Sequence, residues 1–317
     1  MYIVLQCLFL IYIILLIYNT KREDSHMKKS PLQKPAWLKQ RIRNDETYKD
    51  VHRLVKGLQL HTVCESADCP NIGECFGNKT ATFLILGGTC TRACKYCAVP
   101  KGRPDVLDPQ EGKHVAEAAV HLGLRHVVIT SVTRDDLPHG GAEQFADVVH
   151  CLKQACPETT TEVLTPDFKG DLDALKIVMN SHPTVFNHNI ETVRRFFPKI
   201  RPIADYDQSL KILRAAADYT PHSIIKSGIM VGFGETAEDL LETLHDLYNA
   251  GVTVVTIGQY LQPSVHHVPV AEYVTPETFE KYRQTALEIG FSHVVSGPLV
   301  RSSYHAGLAV NHIISPA

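Results

Sequence analysis

The stretch Ala81-Thr82-Phe83-Leu84-Ile85-Leu86-Gly87-Gly88-Thr89-Cys90, continuing through Cys94 to Cys97, sets the reading of the whole chain. An apolar run of strand length ends on a Gly-Gly pair, and a loop follows with cysteines spaced C-x3-C-x2-C. Such a run, bounded by turn residues, reads as a buried strand. A loop at its carboxyl end can wrap three thiolates around one metal centre. The number three is informative. Structural zinc takes four closed ligands, and a four-iron cluster in a simple electron carrier also takes four cysteines. Three leave one position open to a small molecule. Tyr96 would set an aromatic ring beside the third ligand. A zinc site completed by a distant fourth ligand is the plainer alternative.

Working outward from that loop, apolar β-type runs alternate with helical periods. Strands are expected at 81–86, 126–131, 160–164, 185–190, 224–231 and 254–259. Helices are expected between them at 112–122, 142–155, 171–180, 207–217 and 237–249. Strands alternating with helices imply right-handed βαβ units and a parallel sheet. Periodicity leaves open an open or partial barrel and a doubly wound sheet. In either case the functional loops lie at the carboxyl ends of the strands. Residues 28–80 read as an irregular extension punctuated by proline and glycine, with short helices at 36–43 and 46–58.

Nine cysteines occur in 317 residues, six of them between Cys64 and Cys97. An odd total in a chain this long argues against a secreted disulfide scaffold, and clustering argues for metal binding. Cys7, Cys151 and Cys156 stand alone and read as small buried apolar residues. The formal net charge is -2 with both signs mixed along the chain, so no basic tail suggests nucleic acid. No Ser-His-Asp set, phosphate loop or paired-carboxylate site competes with the cysteines.

The N-terminus stands apart. Residues 2–18 are apolar apart from Gln6, and Lys21-Arg22 follow. That is the short end of a membrane span, and it lacks the n-region and cleavage site of a signal peptide. As an anchor, its basic flank would keep the rest of the chain on the cytoplasmic side. Equally, translation starts at Met27. The expected division is 1–26 as this segment, 27–80 as an extension holding cluster cysteines, 81–300 as the barrel and 301–317 as a C-terminal segment. A cytoplasmic location is expected, because cluster thiolates need reducing conditions.

The C-x3-C-x-aromatic-C loop behind the first strand resembles the signature of the radical S-adenosylmethionine superfamily. The resemblance implies a partial (β/α)6 TIM-type barrel, with a four-iron, four-sulfur cluster on Cys90, Cys94 and Cys97. The open iron of that cluster would chelate S-adenosylmethionine. One electron would then split the cofactor and release a deoxyadenosyl radical that removes hydrogen from unactivated carbon. Gly140 and Gly141 stand where the family carries a Gly-Gly loop near the cofactor's amino group. Gly228, Met230, Gly232 and Glu235 match its later glycine-rich strand. Tyr96, Asn189 and Glu191 are further expected cofactor contacts.

A second triad, Cys64, Cys69 and Cys75, has the spacing C-x4-C-x5-C. Its context, His61-Thr62-Val63-Cys64-Glu65 and Cys69-Pro70-Asn71-Ile72-Gly73-Glu74-Cys75, resembles the lipoyl synthase family. That family holds an auxiliary four-iron, four-sulfur cluster there. Its fourth ligand is a serine in an Arg-Ser-Ser-Tyr motif, matched here by Arg301-Ser302-Ser303-Tyr304, so the resemblance assigns the role to Ser303. A serine alkoxide is a weak partner beside thiolates, which suits a cluster that comes apart to donate sulfur. Further similar blocks are Lys34–Lys39, Thr130–Asp136, Asn187–Val193 and Gly258–Pro263. The likeness runs from about Pro35 to Ala306.

The resemblance implies insertion of two sulfur atoms, at C6 and C8, into a protein-bound octanoyl-lysine. The substrate would be a glycine cleavage H protein or a lipoyl domain of a 2-oxoacid dehydrogenase. A reductant such as flavodoxin or ferredoxin and an iron–sulfur assembly carrier are the other expected partners. Carrier domains of this kind are acidic, so Arg92, Lys95 and Arg301 are candidates for a basic rim. His266, His267 and His305 read as surface or packing residues. Other classes remain: a different radical enzyme that inserts sulfur, or a non-catalytic iron–sulfur electron carrier.

Overall fold

The computed structural model describes residues 32–39, 46–67, 69–77, 82–219 and 223–304, with 306, 307, 310 and 313. The N-terminal apolar segment, residues 40–43 of the first expected helix, Ala81 and His305 lie outside these. Lys34–Ala317 forms one compact unit. Among the described residues no helix is long and apolar enough to cross a membrane.

Eight strands lie side by side in chain order. They are β1 (His61–Thr62), β2 (Thr82–Ile85), β3 (His126–Ser131), β4 (Thr160–Leu164), β5 (Val185–Asn187), β6 (Ile224–Val231), β7 (Val254–Gln259) and β8 (His293–Gly297). β1 runs antiparallel to β2, and every later pair is parallel. The connecting helices are α4 (Glu111–Leu122), α5 (Ala142–Ala155), α6 (Leu172–Asn180), α8 (Tyr206–Tyr219), α9 (Ala237–Asn249) and α10 (Pro276–Ile289), with a single turn, α7 (Phe197–Ile200), before α8. Among the described residues three α-helices precede β2: α1 (Glu46–Gly57), α2 (Val63–Ser66) and α3 (Ile72–Gly77).

A doubly wound sheet reverses its strand order at a switch point. Here the order never reverses. Moreover α4 packs on α5, α5 on α6, α6 on α8, α8 on α9 and α9 on α10 in one succession. The sheet is therefore singly wound, an open partial barrel with β1 and β8 as its free edges. The six expected parallel strands are present, two of them shorter than expected. β1 and β8 add to them: β1 is too short to show a period, and β8 follows a helix that fully buries only Phe279 and Ala286.

Local chemistry sets the helix ends. Thr236 and Asp239 form a reciprocal capping box at the start of α9. Asp171 caps α6 through the backbone N–H groups of Asp173 and Ala174. Thr275 caps α10, with Pro276 in its first turn. α4 stops at Gly123, whose φ of 65° suits glycine.

Strand side chains alternate between the two faces of the sheet. Val127, Ile129, Val163, Phe186, Ile225, Ile229, Val255 and Ile257 join the apolar core beneath the helices. The opposite face carries charge. Glu162 Oε1 accepts from Lys226 Nζ at 2.9 Å and from Asn187 Nδ2 at 2.8 Å, and Oε2 accepts from Lys226 Nζ at 2.9 Å. His126 Nε2 stands 3.5 Å from Oε2. Burial pushes the Glu162 carboxyl up, but Lys226 and His126 outweigh it and hold it well below the usual carboxylate range.

After β8 the chain returns across the barrel. A Cβ on Gly258 would lie 2.2 Å from the Val300 carbonyl oxygen, so this strand position admits the C-terminal segment only because it has no side chain. Asn71 Nδ2 donates to Leu299 O at 2.8 Å, and the Tyr304 hydroxyl donates to Glu74 at 3.0 Å. These bonds join the segment after β1 to the segment after β8, across the open side of the sheet.

Glu162→Ala leaves the Lys226 ammonium buried without an anion, and the expected loss is about 3–5 kcal/mol of stability. The denaturant midpoint reads this, and the double variant Glu162→Met/Lys226→Met should regain most of it. The pair's stabilisation is expected in full above the unfolded carboxyl pKa of about 4.3. It should fade as the pH falls from there toward the depressed native value.

Candidate cluster and cofactor site

The turn that launches the cysteine loop is held from two sides. Leu86 sits at φ 68°, a left-handed conformation unusual for leucine. Its N–H donates to both carboxylate oxygens of buried Glu111 at 3.1 Å, and its carbonyl accepts from Arg134 Nη1 at 3.1 Å. Gly141 lies beneath it, and a Cβ there would meet Leu86 Cδ1 at 2.5 Å. Gly140 packs in the same way on Phe168, at 3.1 Å. The Gly-Gly pair is thus required first by packing under this turn.

Beyond the turn, every part of the loop is bonded to a neighbouring connection. Cys90 pairs with Lys101, and its Sγ accepts from the N–H groups of Arg92 at 3.4 Å and Thr133 at 3.3 Å. Lys95 N donates to Ile200 O at 2.9 Å, and Val268 N donates to Lys95 O at 3.2 Å. His267 Nε2–H donates to Cys97 O at 3.1 Å while its Nδ1 accepts from the Ser264 hydroxyl at 2.9 Å. His267 is therefore a packing residue that buttresses the loop. The three thiols are half-buried. Burial, partly countered by Arg201, raises the Cys94 thiol, and burial pushes Cys97 up to about 12. Thiols so disposed are protonated until a cation arrives, and metal loading releases protons.

Strand ends β4 and β5 supply the polar groups beside this loop. Asn189 Nδ2 donates to Glu191 Oε1 at 3.1 Å and to Ser302 Oγ at 3.2 Å. Gly228 leaves room for that amide, since a Cβ there would meet Asn189 Oδ1 at 2.7 Å. Glu191 is held at φ 71° by bonds to Gly228 O at 3.0 Å and from Met230 N at 2.9 Å, a strained position of the kind found at functional sites. Burial raises its carboxyl, with Arg201 and Asn189 opposing the rise. Half-buried Tyr96 faces Glu191, and its phenol is pushed well up by burial and by that carboxylate. Buried Arg201 donates from Nη1 to Asn189 O at 3.2 Å.

His188 donates Nδ1–H to Thr165 O at 2.9 Å, which leaves Nε2 as an acceptor. Burial, then Arg201, lower its pKa to about 4, so the ring is neutral. Arg92 does not stand on a rim as expected. It is 4% exposed, bonded through Nε to Asp135 at 2.7 Å and through Nη2 to Asp167 at 2.7 Å. Arg301 is half-buried with Nη1 on Val300 O at 2.7 Å, which leaves Lys95 as the exposed member of that set. Such burial suits paired arginine, whose planar fork matches carboxylates and carbonyls.

The second triad lies on α2, α3 and the turn between them. Cys69 N donates to Cys64 O at 3.1 Å and Cys75 N to Asn71 O at 2.8 Å. Burial and mutual repulsion push the Cys64 and Cys75 thiols up to about 12. Ser303 is half-buried between residues that reach this triad. Arg301 lies within electrostatic reach of Cys69, and Tyr304 bonds to Glu74 beside Cys75. Gly232 and Glu235 shape the turn after β6. Glu235 accepts from Gly232 N at 2.5 Å and Phe233 N at 2.9 Å, and a Cβ on Gly232 would meet Gln259 Nε2 at 2.1 Å. Their contacts here are with the protein's own backbone and Gln259.

The donor sets fit the groups that the motifs imply. Among the described residues no three Cys, His, Asp or Glu side chains converge tightly enough for a single metal ion. A four-iron cluster takes each thiolate on a separate iron, and three thiolates leave one iron open. Arg92 Nη1, Asp167 Oδ2, His188 Nε2, Asn189 Oδ1 and Arg201 Nε are buried without a hydrogen-bond partner. Unpaired donors and acceptors at these strand ends are of the kind that could hold a ligand carrying both amine and carboxylate. Of these, Asp167, His188 and Arg201 were not singled out as site residues by sequence. Asp167 could have been found, because Thr165-Pro166-Asp167 is a turn at the carboxyl end of β4. Arg201 follows a one-turn helix too short to leave a periodic signal.

A family model described as the radical SAM superfamily matches residues 84–247. The lipoyl synthase of Rubrobacter xylanophilus is 54% identical over 273 residues, covering 86% of this chain and 85% of that protein. The lipoyl synthase of Caldanaerobacter subterraneus is 52% identical over 280 residues, covering 88% and 98%. Among solved structures, methylornithine synthase aligns with a TM-score of 0.51 at 16% identity, over 82% of this chain and 85% of that one. Streptococcus suis SuiB bound to S-adenosylmethionine aligns at 0.52 and 11% identity, over 71% and 53%. At these identities the solved structures speak for the partial barrel alone. With the relatives matched at more than half of all positions over most of their length, the chain belongs to the lipoyl synthase family of radical S-adenosylmethionine enzymes.

Proposed function

We propose that this chain is a sulfurtransferase that inserts two sulfur atoms, at C6 and C8, into an octanoyl-lysine carried on a protein domain. The observation that carries this reading is the Asn189 amide, bonded at once to Glu191 in the cofactor cradle and to Ser302 beside Ser303. A hydrogen-abstracting site and a sulfur-donating site must serve the same carbon, and this amide spans the two.

In this reading Cys90, Cys94 and Cys97 hold one four-iron, four-sulfur cluster, and Cys64, Cys69, Cys75 and Ser303 hold the other. Bound there, the first would supply the electron that splits S-adenosylmethionine into methionine and a hydrogen-abstracting radical, and the second the sulfur. Arg201 offers a positive charge and Glu191 a negative one to the cofactor's carboxylate and amine. Asn189 Oδ1 and His188 Nε2 accept hydrogen bonds from it. Tyr96 sets the depth of the loop against Glu191. Gly140, Gly141, Gly232 and Glu235 shape the turns around the cradle. Neutral His188 accepts a hydrogen bond without taking a proton near neutral pH. In this division the second triad belongs to the 27–80 extension, Ser303 to the 301–317 segment and the first triad to the 81–300 barrel.

The carrier is a glycine cleavage H protein or a lipoyl domain of a 2-oxoacid dehydrogenase. A flavodoxin or ferredoxin supplies electrons, an assembly carrier restores the consumed cluster, and the reducing cytosol keeps the thiols competent.

Two measurements test these assignments. Iron in the reconstituted chain is expected at roughly eight atoms, and at roughly four after alanine replaces either triad. A triad whose loss leaves iron unchanged holds no cluster. In anaerobic turnover with S-adenosylmethionine and an octanoyl-lysyl peptide, wild type should yield deoxyadenosine and a peptide that has gained two sulfurs. Cys94→Ala should give neither, while Cys69→Ala should give deoxyadenosine without the sulfur product. Thiolated peptide from Cys69→Ala would remove the sulfur-donor role from the second triad.

A further inference from the structure

The three most exposed large apolar side chains among the described residues are Val106 (96% exposed), Val265 (82%) and Ile203 (60%). They are far apart in sequence. Yet each lies on a connection that leaves the carboxyl end of a strand: Val106 after β2, Ile203 after β5 and Val265 after β7. In a parallel barrel those connections share one face.

The first of these connections is the cysteine loop itself, and the other two are bonded to it. The first passes through Lys101, paired with Cys90, and Asp105, whose Oδ2 accepts from Gly88 N at 2.8 Å. The second passes through Ile200, which accepts from Lys95 N, and the third through Val268, which donates to Lys95 O. Single exposed apolar residues are ordinary, but here the three extremes all lie on connections at the same end of the barrel.

The charge of that rim differs from that of the chain. Lys95, Lys101, Arg103 and Lys199 are exposed on the same loops, on a protein whose net charge is -2. Of the carboxylates on these loops Glu272 is exposed, and three others are engaged locally. Asp105 bonds Gly88 N, Asp205 accepts from Gln208 N at 2.7 Å, and Asp108 faces His114 at 3.2 Å.

We propose that this rim docks the carrier protein through an acidic face of that domain. The rim cations meet its carboxylates, Val106, Ile203 and Val265 make the apolar contact, and the acyl-lysine arm reaches inward past the cysteine loop. The proposal rests on the sulfur-insertion reading above. It separates two tasks: the inner cradle does the chemistry on any octanoyl-lysine, and the rim recognises the domain that presents it. Opposite charge at a rim speeds encounter and is screened by salt.

The test compares two substrates, an octanoylated lipoyl domain and a short uncharged octanoyl-lysyl peptide. Arg103→Glu/Lys199→Glu should raise KM for the domain by roughly tenfold with kcat held, and should flatten its salt dependence. KM for the peptide should stay within about twofold, because the peptide uses only the inner site. Ile203→Ser/Val265→Ser should weaken the domain substrate alone and keep the wild-type salt slope. Equal changes on both substrates, or none on either, would overturn the docking rim. Wild type that adds sulfur to neither substrate would instead overturn the sulfur-insertion reading, and the rim with it.

Discussion

An asparagine amide has two hydrogens to give, and Asn189 gives them to two different parts of the molecule. One goes to Glu191 at 3.1 Å and the other to Ser302 at 3.2 Å. For both bonds to exist, the end of β5, the strained turn at Glu191 and the C-terminal segment must all be in place. Gly228 must lack a side chain beneath the amide, and Gly258 must lack one beneath Val300. These are long-range requirements on four separate stretches of chain, met at one point. Holding two reactive centres in fixed relation is what turns a hard encounter into an intramolecular step.

The open sheet makes this arrangement possible. A closed eight-stranded barrel fills its interior with side chains. Here β1 and β8 do not pair, and the chain uses the open side to bring α3 and the C-terminal segment together through Asn71, Leu299, Glu74 and Tyr304. The second cysteine triad rides on that closure. Rigidity comes instead from the inner face, where Glu162, Lys226, Asn187 and His126 form a buried charged network. Its centre is the Glu162 carboxylate, which both Lys226 and Asn187 bond.

Much of this was legible in the sequence, because two kinds of signal are local. Apolar runs separated by helical periods revealed six of the parallel strands, and the cysteine spacings marked both triads before any geometry was known. The choice between a partial barrel and a doubly wound sheet was not legible from periodicity, because it depends on which side of the sheet each helix falls. Other features depend on contacts between distant residues. Arg92 looked like a surface cation until Asp135 and Asp167 closed around it. Gly140 and Gly141 looked like a ligand loop, and the structure shows their first duty under Leu86 and against Phe168. Arg201 gave no signal, while Asp167 and His188 lay in strand-end stretches that did not single them out. Their importance lies in unpaired atoms, a property that exists only after folding.

The most direct test of the central claim, that both sites act on one acyl chain and that the sulfur comes from the protein, is an isotope experiment. The chain is reconstituted with sulfur-34 sulfide, freed of excess, and given S-adenosylmethionine and octanoyl-lysyl peptide in unlabelled buffer for a single turnover. The account predicts that both sulfurs in the product carry the heavy isotope. Product carrying light sulfur drawn from the buffer would contradict it.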